Sequence, residues 1–219
     1  MKQRISLGIK LGLPRHQAAQ LAKLTSPEKV QDFINDIPIN FEPGGDTCLS
    51  VTEVLRQRRA HCIEAAFTAA CAFWINGSPP LVMDMQAKGD CDHVIAVFKH
   101  KGCWGAISKS NHVWLRWRDP VYRNLRELAM SYFHEYVSGQ SKTLTAYSVA
   151  CDLRRFDTKL WISNRDDCWD VAAALDGIRH YKLVTAQQAK NLRHRDSVEI
   201  RAGDILQYKA PNKKAAKMY

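Results

Sequence analysis

The sequence contains no run of about 18 consecutive apolar residues, the length that a membrane-spanning helix needs. A secretory signal peptide is not predicted either, because Lys10 and the neighbouring glycines interrupt the apolar residues of the amino-terminal segment. We therefore expect a cytoplasmic protein without a membrane span.

Closely spaced cysteine pairs, which mark disulfide frameworks and zinc ribbons, are also missing. The seven cysteines are scattered at positions 48, 62, 71, 91, 103, 151 and 168, and reduced thiols are the simplest interpretation. A metal site formed by Asp84, Cys91, Asp92 and His93 has neither Cys-x-x-Cys nor His-x-x-x-His spacing to support it. We expect no metal ion and no other cofactor.

Acidic residues are scarce at the carboxyl-terminal end of the chain. Residues 179–219 hold ten Lys and Arg against three Asp and Glu, so +7 of the formal net charge of +10 lies there. Such a region can contact nucleic acid, an anionic surface or an acidic partner. The alternative is a solubilising tail that is disordered over about 209–219, because runs of like charge are usually solvated.

The apolar pattern predicts an α+β fold, and 219 residues suffice for a core without disulfides. Helices are predicted within 13–37 and from Ser50, where Ser50 and Glu53 form a capping box. The second helix either continues to Ile75 or breaks near 58–61 and restarts at Cys62. We predict a core with an N-terminal helical segment over 1–150 and a helical, basic extension over 151–219.

The clearest strand signal is a hairpin formed by residues 93–98 and 103–108, joined by a four-residue connection that ends in glycine. If Phe98 faces Cys103, equal steps along both strands place His93 opposite Ser108, with Cβ atoms about 5 Å apart. Residues 81–85 and 142–149 predict further strands. Asp119 and Pro120 predict the start of a helix that ends near residue 138.

Cys62 and His93 are the candidate nucleophile and general base of a cysteine-dependent enzyme. A helix amino-terminus carries partial positive charge, which lowers the pKa of a thiol and favours the thiolate, and its N–H groups can stabilise an oxyanion. His93 would take the thiol proton and return it to a leaving amine. Ser108 or Asn111 would orient the imidazole, and Asn111 is preferred because its carbonyl oxygen accepts the ring N–H.

Structural roles are the alternative for the same residues. A cysteine in an alanine-rich helix is usually a small core residue, as we expect of Cys71. Aromatic and basic residues between 114 and 126 would either bind single-stranded nucleic acid, line a cleft for an acidic or peptide chain, or pack with the arginines in solvent. This set is Trp114, Arg116, Trp117, Arg118, Tyr122, Arg123 and Arg126.

The chain resembles the transglutaminase-like superfamily, which is related to papain-type proteases, over roughly residues 25–140. The resemblance rests on Cys62 at a helix start, His93 at a strand start, and the segment from Trp104 to Ser108. Within that superfamily, the chain resembles more specifically a bacterial branch of uncertain function. The motifs that carry this closer resemblance are Pro79-Pro80-Leu81, Arg118-Asp-Pro-Val-Tyr122 and residues 126–133. Ser108 stands where the family has an aspartate.

This resemblance implies a transglutaminase-like core and a thioester reaction at Cys62. The implied substrate is a peptide or another compound with an amide or isopeptide bond, which would be hydrolysed or transferred. Gln57 resembles the oxyanion-hole glutamine of papain-like enzymes, but it is a surface residue if its helix runs unbroken into Cys62. A binding module without catalytic activity is the alternative, since the aspartate is missing and the carboxyl-terminal region is basic.

Overall fold

The computed structural model of this protein describes residues 1–209, so the tail predicted at 209–219 lies, apart from Lys209, outside the described residues. Helices combine with an antiparallel sheet, which confirms the predicted α+β class. The helices are α1 (Lys2–Lys10), α2 (Arg15–Leu21), α3 (Pro27–Asn35), α4 (Val51–Gln57), α5 (Cys62–Ile75), α6 (Leu125–Met130), α7 (Trp169–Asp176), α8 (Ala186–Lys190) and α9 (Ser197–Gly203). The strands are β1 (Leu81–Ala87), β2 (His93–His100), β3 (Cys103–Ile107), β4 (Arg118–Tyr122), β5 (Val137–Ser138), β6 (Ser141–Lys142), β7 (Leu144–Ser148), β8 (Cys151–Asp152) and β9 (His180–Lys182).

One antiparallel sheet organises the described part of the chain. Its strand order is β4-β3-β2-β1-β7-β9, β8 pairs with β1, and β5 and β6 form a separate short ladder. Strand β2 is buried on both faces from His93 to Phe98, because apolar side chains cover each side. Val94, Ala96 and Phe98 join the core with the helices, whereas Ile95 and Val97 join the core with α6. The sheet is therefore the middle of three layers.

Helix α5 is the central helix of the helical layer. Alanine and aromatic residues of the helix itself are found on all of its faces, and every residue from Glu64 to Phe73 is buried. A helix that is apolar all round is typical of a protein interior. It packs on β2 and contacts α1, α2, α3 and α4. This arrangement confirms the predicted cysteine-bearing helix packed on an antiparallel sheet, and it anchors Cys62 to the core.

Residues beyond 150 contribute to the same core. Strand β9 pairs with β7, and Trp161 is fully buried against Phe67 and Trp74, with ring centroids 6.0 and 6.2 Å away. The carbonyl oxygen of Trp161 accepts a hydrogen bond from Val51 N–H at the start of α4. The segment that follows residue 150 is thus packed on the helical layer.

The structure differs from the expected helix after Asp119. Residues 118–122 form β4 at the sheet edge, and the helix begins only at Leu125, capped by Asn124. Pro120 lacks an N–H donor, which an edge strand tolerates because one side of the strand needs no partner. Helix α1 was not predicted from the sequence.

None of the helices within residues 1–209 combines the length and the apolar character that crossing a bilayer requires.

Candidate active site

A cleft of about 1100 Å³ contains both Cys62 and His93. It opens where the start of α5 meets the start of β2, and residues 42–47 and 195–204 contribute to its walls. Cys62 is half-buried in it, whereas Cys71 lies in the core with its thiol pKa raised by burial. Of these two cysteines on α5, the cleft therefore presents Cys62.

An interruption between helices α4 and α5 places Cys62 at a helix start. Helix α4 ends at Gln57, Arg58 adopts a left-handed conformation with φ of 55°, and α5 begins at Cys62. The alternative of one unbroken helix from Ser50 to Ile75 is therefore wrong. Gln57 donates a hydrogen bond to Glu53 at 2.9 Å and accepts one from Arg59 at 3.0 Å, so its side chain is held outside the cleft lining.

The Cys62 thiol is surrounded by groups that favour its ionised form. Burial acts to raise its pKa, but hydrogen bonds with His61 and His93, together with their positive charges, hold the pKa well below the ordinary range. The sulfur lies 3.9 Å from Nδ1 of His61. A thiolate is the nucleophilic form of cysteine, so this environment suits attack on a carbonyl carbon.

His93 is positioned by Ser108. Nε2 of His93 lies 2.8 Å from Ser108 Oγ, and the Ser108 hydroxyl donates its proton to the carbonyl oxygen of Leu115 at 2.8 Å. A hydroxyl has a single proton, so Ser108 Oγ accepts from His93 and Nε2 carries the ring proton. Nδ1 is then the basic nitrogen of the neutral ring, which is the nitrogen available to take a proton from the thiol.

Ser108 is itself fixed by a distant glutamine. Gln31, on α3, accepts a hydrogen bond from Ser108 N–H at 3.0 Å and donates one to the Ser108 carbonyl at 2.9 Å. Both residues are buried. The hydroxyl that holds His93 therefore has little freedom to move.

The hairpin register differs from the prediction by two residues. Lys101 and Gly102 both have positive φ, 49° and 85°, and form a two-residue turn. Turns of this kind match the twist of a hairpin, so pairing continues to His100 and Cys103, and Phe98 faces Gly105. A shift of two residues keeps the same face of each strand. Ser108 consequently still reaches His93, from just beyond the end of β3.

Asn111 does not take the orienting role that the sequence suggested. Its side-chain oxygen accepts a hydrogen bond from Tyr208 N–H at 2.8 Å, and its amide donates to the Tyr208 carbonyl at 3.0 Å. Asn111 thus fixes the carboxyl-terminal segment to the cleft wall. The ring nitrogen of His93 is bonded by Ser108 instead.

The sequence indicated His61 only as a positive charge near Cys62, and the role of Glu64 was missed. His61 is the N-cap of α5 and Glu64 lies in its first turn, where the buried Glu64 carboxylate accepts a hydrogen bond from His61 N–H at 2.8 Å. A Glu three residues after an N-cap is a recognisable capping signal. Burial acts to raise the Glu64 pKa, but its bonds and charge interaction with His61 lower that pKa to about 2.

The cleft lining is acidic although the protein as a whole is basic. Lys109 and Arg195 are its Lys and Arg residues, and the Lys109 amine is buried against carbonyl oxygens of Ile34 and Ile37. Carboxylates outnumber them among the described lining residues. The carboxylates of the lining are Glu42, Asp46, Asp84, Asp90, Asp92, Glu135, Asp176 and Asp204.

Three of these carboxylates lie close together in the cleft lining. Asp84, Asp92 and Asp176 place oxygen atoms within 4.8 Å of one another, close enough to share one cation. The metal ligands considered from the sequence were Asp84, Cys91, Asp92 and His93. The structure instead groups the two aspartates with Asp176. Asp84 also lies 2.9 Å from His180 Nε2, and burial raises the Asp84 pKa to about 6 against the opposing effect of His180.

Two arginines of the segment 114–126 are bound within the protein. Arg118 pairs with Glu135 and lies over the Tyr132 ring at 4.0 Å, and Arg116 donates to Gln207 at 2.7 Å. Trp117 packs on Phe98 with ring centroids 5.4 Å apart. Arg123 and Arg126 are exposed. Structural packing therefore accounts for Arg116, Trp117 and Arg118, whereas Trp114 lines the cleft.

In comparisons with known proteins, no protein-family model and no curated protein matches this chain.

Proposed function

We propose that this chain is a cysteine-dependent hydrolase or acyltransferase with a transglutaminase-like core, acting on an amide or isopeptide bond through a thioester. The observation that supports it most is the meeting of a helix-start thiol of lowered pKa with a histidine whose ring is held by Ser108. The nucleophile, the base and the group that orients the base are then Cys62, His93 and Ser108.

The reaction begins with transfer of the thiol proton of Cys62 to Nδ1 of His93. The thiolate attacks the amide carbonyl carbon, and the resulting oxyanion is stabilised by N–H groups at the start of α5. His93 gives its proton to the amide nitrogen as the C–N bond breaks, which releases an amine and leaves a thioester on Cys62. Water or a second amine then attacks the thioester, with His93 as the base, and regenerates the thiol.

Ser108 gives His93 a neutral hydrogen-bond partner, where an aspartate would be a charged one. Because its hydroxyl accepts from His93 and donates to Leu115, it fixes the ring orientation and the tautomer without contributing a full negative charge. An aspartate would also stabilise the imidazolium. The proposed enzyme is therefore expected to be slower than one with a carboxylate at this position.

The acidic lining favours a substrate segment that is neutral or positively charged. Like charges repel, and clefts lined by one sign of charge raise the local concentration of the opposite sign. An acidic chain and a nucleic acid both carry negative charge and would be disfavoured in this cleft. A peptide with Lys or Arg near the amide bond is the substrate class that its charge suits.

Alkylation with iodoacetamide tests whether Cys62 is activated. Cys91 is the matched control, because it is exposed, lies in the same cleft and has a pKa raised by burial and by Asp90. At pH 6, peptide mapping should show Cys62 labelled at least about tenfold faster than Cys91, since each pKa unit changes the thiolate fraction tenfold. Equal labelling of the two thiols would remove the basis of the proposal.

A second function, binding through the basic carboxyl-terminal region, is favoured by the exposure of its cations. Arg179, Lys182, Lys190, Arg193, Arg201 and Lys209 are all exposed. We propose that they contact nucleic acid or an acidic partner outside the cleft. Binding to a generic oligonucleotide should weaken steeply from low to moderate salt, and a flat salt response would exclude phosphate contacts.

A further inference from the structure

Cys62 is flanked by a second histidine, His61, besides the His93 of the proposed mechanism. His61 is buried directly before α5, and its Nδ1 lies 3.9 Å from the Cys62 sulfur. The two histidines reach the sulfur from different elements, since His93 begins β2. Two imidazole rings therefore act on one sulfur, in contrast to a single Cys-His pair.

The far nitrogen of His61 lies close to three hydrogen-bond acceptors. Nε2 lies 2.9 Å from the Thr47 carbonyl oxygen, 3.3 Å from Glu64 Oε1 and 3.4 Å from Glu42 Oε1. Carbonyl and carboxylate oxygens cannot donate, so Nε2 carries a proton. Two carboxylates beside a buried ring favour its charged form.

The buried Glu64 carboxylate is stabilised in its ionised form by four hydrogen-bond donors. Its carboxylate accepts hydrogen bonds from Leu49 N–H at 2.9 Å, His61 N–H at 2.8 Å, the Thr47 hydroxyl at 2.8 Å and the Asn40 amide at 3.2 Å. Such bonds stabilise a buried carboxylate in its charged state. A fixed negative charge therefore stands on the side of the His61 ring away from the sulfur.

We propose that His61 is a second catalytic histidine, an imidazolium whose Nδ1–H donates to the Cys62 sulfur and stabilises the thiolate, with Glu64 and Glu42 as counter-ions. The thiol proton passes to His93, whereas His61 keeps both of its ring protons throughout. The role rests on the proposed function for its use in acyl transfer. The thiolate itself can be measured without any substrate.

Other titratable groups also act on this pair. Glu42 and Cys48 face it from the loop before α4, and Glu64 faces it from α5. Cys91, Asp92 and His93 face it from the start of β2, and Tyr136 from the segment after α6. Burial acts to lower the His61 pKa, but the interactions with Cys62 and then Glu64 raise it well above the ordinary range.

Alkylation of Cys62 across pH 5–9 tests this role, in a Cys91→Ser background and with the Cys62 peptide quantified by mass spectrometry. His61→Gln should slow labelling at pH 6 at least about tenfold and move the midpoint of the profile upward by more than about one unit. The two rates should converge above the midpoint. His100→Gln, on the exposed end of β2, is the control and should leave the profile unchanged. An unchanged profile for a folded His61→Gln protein would overturn the proposal.

If His61→Gln does not fold, two other measurements test whether His61 stabilises the Cys62 thiolate. Glu42→Gln keeps an acceptor for Thr47 N–H while removing one counter-ion, and it should shift the loss of the second ring proton of His61 to lower pH in imidazole ¹⁵N spectra. Imidazole ¹⁵N spectra of the wild-type protein should show both ring nitrogens of His61 protonated at pH 7.5. A neutral His61 ring at that pH, or no shift in Glu42→Gln, would contradict the role.

The outcomes separate this inference from the proposed function. A thiolate that depends on His61 in a protein that never forms a thioester would sustain the inference and refute the enzyme. Thioester formation with a His61-independent profile would do the reverse.

Discussion

Nε2 of His93 and Oγ of Ser108 lie 2.8 Å apart, in a buried pair whose hydroxyl proton is committed to the Leu115 carbonyl. The pair gives the histidine a fixed tautomer without a carboxylate. Orientation is one of the two contributions that an aspartate makes to a catalytic histidine, so the proposed base keeps that contribution with a serine in place of a carboxylate.

Replacing Ser108 with alanine should release the His93 ring. Ser108→Ala removes one hydrogen bond of a buried group, so the tautomer preference weakens and turnover or Cys62 alkylation near neutral pH should fall by about tenfold. Ser110→Ala, at a cleft residue whose hydroxyl oxygen accepts a hydrogen bond from His112 N–H, is the control. An alkylation rate equal to that of the wild type would show that Ser108 does not position His93.

The acidic cleft should distinguish thiol reagents by their charge. A trimethylammonium methanethiosulfonate should modify Cys62 faster than its sulfonate counterpart, by about tenfold at low salt, and the ratio should shrink as salt rises. Cys103 directly follows the hairpin turn formed by Lys101 and Gly102, outside the cleft lining, and serves as the control thiol without this preference. Faster reaction of the sulfonate reagent at Cys62 would mean that the histidines, and not the carboxylates, set the cleft potential.

Asp84, which is buried, and His180, which is half-buried, share a proton. His180 Nδ1 lies 2.8 Å from the Ile178 carbonyl and so carries a proton, and Nε2 lies 2.9 Å from Asp84 Oδ2, where two acceptors would otherwise meet. The Asp84 pKa is raised to about 6, above the value in an unfolded chain. The protonated form is thus favoured by folding, and its stabilisation is complete below about pH 4 and lost as pH rises through 6.

Asp84→Asn tests this proton directly. The free energy of unfolding of the wild type, relative to Asp84→Asn, should fall between pH 4 and pH 7 by up to about 3 kcal/mol. Denaturant titrations at these two pH values measure the difference. A relative stability of the wild type that rises over this range would reverse the assigned sign.

Trp161 should be essential for folding, because it joins the segment after residue 150 to the helical core. Trp161→Ala should reduce the free energy of unfolding by about 3–5 kcal/mol. Trp161→Phe should cost less, since it keeps an aromatic ring and removes an indole N–H that is buried without a protein partner in the described structure. Chemical denaturation of both variants checks this order, and a near-neutral Trp161→Ala would show that the segment is peripheral.

Local patterns were enough to predict some of this site. Cys62 begins a helix, His93 begins a strand, and Ser108 shares the face of the hairpin that His93 occupies, because period-two alternation survives a register shift of two. The register itself was missed because Lys101 takes a left-handed conformation that glycine or asparagine usually signals.

The remaining features depend on contacts between distant parts of the chain. Asp84 meets His180, Asn111 meets Tyr208 and Gln31 meets Ser108, and no periodic pattern links these pairs. The helix expected from Asp119 was wrong for a related reason: pairing with β3 outweighed a local helix signal.

Trapping the acyl intermediate tests the central claim most directly. The protein is treated with p-nitrophenyl acetate near neutral pH, and acetylated peptides are located by mass spectrometry in the wild type and in His93→Ala. We predict a thioester on Cys62 that forms faster than any adduct on Cys91, depends on His93 and is lost in Cys62→Ala. Acetylation of Cys91 and Cys62 at equal rates, or a Cys62 adduct unaffected by His93→Ala, would contradict it.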